Sequence, residues 1–430
     1  MNIYVTMGAL VAVLLLAPAA MAQDEDDRDR RIEELERTVR ELKQQVEGLG
    51  ADTPGIEKLE VEDLESRIRA LEAESEKNAH SWTKRFTFGG YGEMHLNFAE
   101  GSGGDLMDYH RWVLYLGYAF NDRVKFNSEL ELEHAFVADG AGGELVFEQL
   151  YIDFLLTDAA NIRVGRFLTP LGIINQKHEP TSFNGVERPF FSKYIIPTTW
   201  SADGLGLYGN LSEHLKYQAY LVAGLDGSKF SATDGIRSGR MKERPGVADP
   251  ALTGRIDWFP LATSEVTARQ VLRAGLSVWY GGIYNGNKGK NPGVGDRLLI
   301  LSADFEYSVS VFDFRGVVAW QQIDGAEEIG NNVAEEIFGW YLEAAAHILP
   351  ESLARDTDLV FFVRYERFDT QWRMPRGVDA DPRGNRHAVT TGFTWFILPN
   401  LVAKIDYQFV DDDSDEGLPD LLNLGLGWAF

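Results

Sequence analysis

Cysteine is absent from all 430 residues. This excludes disulfides, thiolate metal sites, dithiol redox chemistry and a lipid-bearing cysteine. Positive charge is scarce too, with 41 Lys and Arg against 66 Asp and Glu and a net charge of −25. Phosphate backbones are bound by clustered Lys and Arg, so this balance argues against a nucleic-acid partner. The eight histidines show neither H-x-x-x-H nor H-E-x-x-H spacing, and no G-x-S-x-G or phosphate-loop pattern occurs. The sequence therefore calls for no metal, no cofactor and no catalytic residues. After residue 22 no apolar run reaches the ~18 residues that a membrane-spanning helix needs. Taken alone, these absences describe a soluble acidic protein.

The patterning describes something else. Met7 to Leu16 form a short apolar run that ends in the small-x-small triplet Ala20-Met21-Ala22. Residues 1–22 read as a secretory signal peptide although no Lys or Arg precedes the run. Residues 23–80 change to charged residues spaced by single aliphatics. Ile32, Leu35, Val39, Leu42, Val46 and Leu49 recur at steps of three and four, which is a coiled-coil seam that needs a partner helix. A solvated, fraying helix is the alternative. Exported, this segment would be a periplasmic stalk, and it invites the reading of a tether to the cell wall. Residues 24–77 hold 10 basic and 19 acidic residues.

From residue 81 to 430 the period becomes two. Leu422, Leu424, Leu426, Trp428 and Phe430 alternate with Asn423, Gly425, Gly427 and Ala429. Leu130 and Leu132 alternate with Glu129, Glu131 and Glu133; Ile405 and Tyr407 alternate with Lys404, Asp406 and Gln408. Three glutamates on one strand face would be costly in a dry core and are reasonable in a water-filled lumen. Many such strands without intervening helices predict an all-β transmembrane antiparallel barrel whose apolar face meets outer-membrane lipid. Sixteen strands are expected, beginning near 86, 109, 124, 144, 160, 204, 215, 253, 273, 296, 311, 336, 356, 385, 401 and 421. Their connections alternate between short and long, and the segment Phe259 to Leu272 breaks that alternation. Trp258, Trp279, Tyr280, Trp320, Trp340, Trp395 and Trp428 are expected in interfacial girdles. An acidic run, Asp411 to Glu416, reads as a solvated outer loop that could loosely hold Ca²⁺.

The third long connection, between Leu168 and Asp203, is too apolar to be disordered and carries prolines at 170, 180, 189 and 197. Folded into the barrel it would form a constriction presenting Lys177, His178, Glu179, Glu187, Arg188 and Lys193. Alternation gives seven basic wall residues, Arg111, Lys125, Arg163, Lys216, Arg315, Arg364 and Lys404. It gives eleven acidic ones, Glu93, Glu129, Glu131, Glu133, Asp153, Asp304, Glu306, Asp313, Glu343, Glu366 and Asp406.

GYGEMHLNF at 90–98, FNDRVKFNSELELEHAF at 120–136, HEPTSFNGVERPF at 178–190, IIPTTW at 195–200 and the terminal Phe430 resemble the porin O and P family of Gram-negative outer membranes. The resemblance implies a sixteen-stranded, usually trimeric channel narrowed by its third loop, with Phe430 as the signal to the barrel-insertion machinery. Phosphate-selective members carry a ladder of Arg and a cluster of Lys. The acid-rich wall departs from that ladder, so the expected function is passive diffusion of small hydrophilic solutes or ions. An anion- or phosphate-selective channel and a structural tether are the alternatives.

Overall fold

The structure is a computed structural model that describes Arg37 and residues 85–430, less 102–103, 139, 141, 262–269, 285–295, 351–352, 354–355 and 415–416. The signal peptide and coiled coil lie outside the described residues apart from Arg37, and the acidic run lies partly outside them.

Sixteen strands follow one another: β1 (Phe86–Ala99), β2 (Leu106–Ala119), β3 (Val124–Glu133), β4 (Leu145–Leu155), β5 (Asn161–Leu168), β6 (Ser201–Ser212), β7 (Leu215–Ala223) and β8 (Pro250–Trp258) form the first half. β9 (Gln270–Gly282), β10 (Arg297–Val309), β11 (Phe312–Ile323), β12 (Glu336–His347), β13 (Asp358–Arg373), β14 (Asn385–Leu398), β15 (Leu401–Asp412) and β16 (Leu421–Ala429) form the second. Each strand pairs with its neighbours in sequence, and β1 pairs antiparallel with β16, so the sheet closes on itself. Closure leaves no unpaired edge, which is the condition for strands to cross lipid. Phe430 completes the seam through reciprocal backbone hydrogen bonds with Gly90, at 2.9 and 3.0 Å.

Alternation sets the two faces as expected. On β15, Lys404, Asp406 and Gln408 are buried inside while Ile405 and Phe409 are exposed outside. On β16, Asn423 is buried and Leu422 and Leu426 are exposed. An exposed belt of large apolar side chains on a closed barrel is a lipid-facing surface. Trp258, Tyr280 and Trp395 belong to it. Trp279 does not: it is fully buried and packs inside the barrel on Trp200, with ring centroids 4.6 Å apart. Its neighbour Tyr280 takes the outward position, because successive strand residues face opposite sides.

Two irregularities move residues between faces. Glu129 pairs with Gln149 but Leu130 pairs with Phe147, so Glu148 is the extra residue of a β-bulge. On β2, Tyr109 packs against the outward Trp428, whereas both His110 and Arg111 contact inward residues, His95 and Glu93.

Candidate functional site

Residues 169–200, the third long connection, turn back into the barrel. Asn175 clips the ends of this loop together. Its amide nitrogen donates to the carbonyls of Thr169 and Trp200 at 2.8 and 3.0 Å, and its oxygen accepts from Trp200 N at 2.9 Å. Thr169 N also donates to Trp200 O. The loop's backbone is then satisfied by inward side chains of the wall, as buried polar groups require. Arg255 of β8 donates to Gly172 O, Gln321 of β11 to Ile195 O, and Arg364 of β13 to Asn184 O. Lys404 of β15 reaches both Phe183 O and Gly185 O, while Asp406 accepts from Val186 N and Glu366 from Phe191 N. Room for the loop comes from the small face of β16. A Cβ on Gly425 or Gly427 would stand 2.9 Å from Val186 or 2.5 Å from Pro180.

One side of this seat is apolar. Phe191, Ile195, Ile196 and Trp200 join Trp279, Ile300, Val317, Ile337, Tyr341 and Phe368 in a continuous core inside the barrel. The other side is charged. Arg111 bonds Glu93 at 2.6 Å and Glu131 at 3.2 Å. His178 sits 3.1 Å from Glu148 and 3.6 Å from Glu129, and its Nδ1 meets Asn175 O at 3.0 Å. Burial alone would lower the His178 imidazolium, but Glu148 and Glu129 outweigh it and push the group up to about 10. Glu187 accepts from His95 and Asn97, both at 3.0 Å.

Many of the expected wall residues point inward yet are not bathed in water, whereas Lys125 and Lys216 are exposed. Glu129 is 1% exposed, Glu131 2% and Arg364 0%. The desolvation cost foreseen for the glutamates is offset by pairing beneath the loop instead of by hydration. Arg315 and Arg364 share Glu343 at 3.4 and 3.2 Å. Arg163 holds Asp153 through two hydrogen bonds and lies over the rings of Tyr151 and Tyr208. Glu133, half-buried, stands opposite Arg111 in the β2–β3 register.

The loop residues do not converge. Lys177 is exposed and pairs with Glu306 of β10; Lys193 lies over the Tyr194 ring; Arg188 donates to Thr198 Oγ1 and His178 O. Glu179 accepts from Tyr115. His178, expected at the constriction surface, is buried against the wall.

Reading alternation missed Arg255, Asp257, Arg273 and Glu148. Arg255 and Arg273 are inward and meet Asp257 and Asp304 at 2.7–2.9 Å. Glu148 comes in through the bulge. Among the described residues, two clusters bring potential metal ligands together where no sequence spacing announced one: Asp108, His110 and His134, and Glu129, Glu148 and His178.

No family model matches the chain. An uncharacterised protein of Aquifex aeolicus is 33% identical over 366 residues, covering 81% of this chain and 80% of that protein. The chain belongs to that protein's family. The family's fold has solved counterparts at low identity. Salmonella typhi OmpF, in complex with daunomycin, matches 80% of this chain and 97% of its own at 12% identity, with a TM-score of 0.53. A loop-deleted form of OmpT, an outer membrane protein of Vibrio cholerae, matches 80% and 99% at 10% identity with a TM-score of 0.51. DcaP, an outer membrane channel of Acinetobacter baumannii, matches 80% and 97% at 14% identity with a TM-score of 0.50. The architecture of this family is thus that of the sixteen-stranded outer-membrane porins.

Proposed function

We propose that the protein is a passive outer-membrane channel for small hydrophilic solutes or ions, with residues 169–200 setting its narrowest section. The observation that supports this most is the inward-folded loop itself, held by side chains from strands around the wall. A barrel serving only as an anchor has no need of a lumen narrowed by a loop clipped at both ends. No turnover is invoked, because diffusion through a shaped polar path needs only sieving and charge bias. Since much of the wall charge is internally paired beneath the loop, selectivity between cations and anions is weak in this reading.

The narrower kinship with phosphate-selective porins rests on the sequence motifs and is part of the proposal. One feature favours its anion-selective form. An outer-loop cavity of about 610 Å³ is lined by Lys229, Arg237, Arg240 and Lys242, with Asp226 and Glu243 as its acids. Burial and the neighbouring Arg237 hold the Arg240 guanidinium down, at about 10. Such a basic mouth would concentrate anions ahead of the constriction. The remaining parts of the reading are removal of residues 1–22, a periplasmic coiled coil over 23–80, a homotrimer, and delivery to the insertion machinery through Phe430.

Planar-bilayer recording of the folded full chain tests the proposal. Small, stepwise conductance is expected; correctly folded protein that never conducts would overturn it. Reversal potentials in a salt gradient then separate the two forms. A preference for anions that disappears in Arg237→Ser/Arg240→Ser supports the basic mouth.

A further inference from the structure

The cluster that fastens His178 to the wall has the composition and layout of a metal site. Glu129 on β3 and Glu148 on β4 each place a ligand atom within 4.8 Å of the other and of His178 on the loop. The distances from His178 Nε2, 3.1 Å to Glu148 Oε2 and 3.6 Å to Glu129 Oε1, straddle the roughly 3.4 Å between ligand atoms around a tetrahedral ion. The outer contacts are also of the kind that orients metal ligands. His178 Nδ1 lies 3.0 Å from the Asn175 carbonyl, which leaves Nε2 to face the carboxylates. Gln149 donates to Glu129 Oε2 at 2.6 Å, which leaves Oε1 to face the imidazole.

Independent of this layout, the protein leaves groups here unanswered. Glu129 Oε1, Glu148 Oε1 and Tyr91 Oη are buried and receive no hydrogen bond. Arg111 bonds Glu93 and Glu131, and Arg188 bonds the His178 carbonyl, so His178 is the cation in direct contact with Glu129 and Glu148. One imidazole in contact with two buried carboxylates is a donor set that a divalent ion would satisfy more fully than the single proton they now share.

We infer that Glu129, Glu148 and His178 form a site for a divalent transition ion such as Zn²⁺, Mn²⁺ or Co²⁺, joining the third loop to β3 and β4. Mixed imidazole and carboxylate donors suit these ions better than Ca²⁺ or Mg²⁺, which prefer oxygen alone. On binding, the His178 Nε2 proton is released to solvent and its lone pair goes to the metal. The ion thus replaces a proton and turns an ion pair into a cross-link between loop and wall. This site is distinct in place from the half-exposed group of Asp108, His110 and His134, where Asp108 Oδ2 already accepts from both imidazoles at 2.9 and 2.8 Å.

The test refolds the full chain in Co²⁺, removes excess ion, and measures cobalt content, the visible cobalt spectrum and the thermal unfolding midpoint. One cobalt per chain is expected in the wild type and in Asp108→Asn, with a midpoint that falls on chelation. Glu148→Gln and His178→Gln, checked for folding by heat-modifiable gel mobility, should lose the cobalt and the chelator response. If neither variant folds, one cobalt retained equally by wild type and Asp108→Asn, with the same chelator response, supports the assignment, and cobalt lost in Asp108→Asn overturns it. Wild type that retains no cobalt, or cobalt that survives Glu148→Gln and vanishes in Asp108→Asn, would overturn the assignment.

Discussion

The two sides of the third loop's seat are held by different physics. Toward β9–β13 the loop lays Phe191, Ile195 and Trp200 into an apolar core that contains Trp279, Tyr341 and Phe368. Toward β1–β4 it offers His178 and Glu187 to an array of carboxylates and imidazoles. Apolar packing is non-directional and offers no group that titrates or binds an ion. Buried charge pairs are the reverse: each depends on its partner, and losing one member leaves the other uncompensated. The loop therefore has a permanent edge and an addressable one. A solute path that opens or is tuned would do so along the charged edge.

The strongest attack on that contrast is made on the apolar edge. Trp200→Ala removes a fully buried indole packed at a tilt against Trp279. Large-to-small changes of this kind cost about 3–5 kcal/mol. A lowered unfolding midpoint and noisier, larger conductance are expected, and an unchanged channel would show that the apolar edge holds nothing. Asn175→Ala comes next. It leaves Trp200 N–H without an acceptor, while the Thr169 and Trp200 carbonyls keep Leu171 N and Thr169 N, and an unsatisfied buried group costs about 1–3 kcal/mol. Asn175→Asp keeps the acceptor for Trp200 N–H but turns a buried carboxylate oxygen toward two carbonyls, so it should lower the midpoint further than Asn175→Ala. Equal losses in both variants would mean that the clip acts through packing alone.

How much of this could be read beforehand follows from the reach of each signal. Strand identity is local, so all sixteen strands were legible from alternation; β16 starts at Leu421 and β15 at Leu401, where the period-two pattern begins. Inwardness was legible wherever the pleat is regular, as for Lys404 and Arg364. It failed at Glu148, because a bulge adds one residue and the alternation carries no mark of it. Arg255 and Arg273 were within reach: they alternate with the exposed Ile256 and Leu276, in a stretch whose neighbouring segment obscured the strand limits. Burial of the glutamates was not legible at all. What covers Glu129 is a loop residue, His178, placed there by contacts the loop makes with β8, β11, β13 and β15. Likewise Asp108, His110 and His134 meet only because the β2–β3 pairing puts His134 N on His110 O.

The charged edge answers to acid. Burial works against the Glu187 carboxylate, but the hydrogen bond and charge of His95 outweigh it and hold the group at about 2, below its ordinary 4.5. A depressed carboxylate contributes its stability above the ordinary value and loses it as pH falls toward the folded one. The hold of Glu187 on His95 should therefore weaken between about pH 4.5 and 2. Conductance noise that rises over that window in wild type and is already raised, without further acid dependence, in Glu187→Gln is the expected result. A rise of equal size in both would place the acid-sensitive contact elsewhere on the charged edge.

Lys177 should matter least to stability. Its side chain is 57% exposed and its partner Glu306 is already held by Arg273 at 2.7 Å. Exposed pairs are worth about 0.2–1 kcal/mol, because solvent and salt screen the attraction that ordering the side chain must offset. Lys177→Ala should leave the unfolding midpoint nearly unmoved while exposing the Glu306 carboxylate to the lumen. Its effect is then electrical: the permeability ratio should shift toward cations, and the shift should shrink as ionic strength rises. A midpoint that falls as far as in Asn175→Ala would mean that Lys177 belongs to the loop's anchorage, and the division into a permanent and an addressable edge would need a third member.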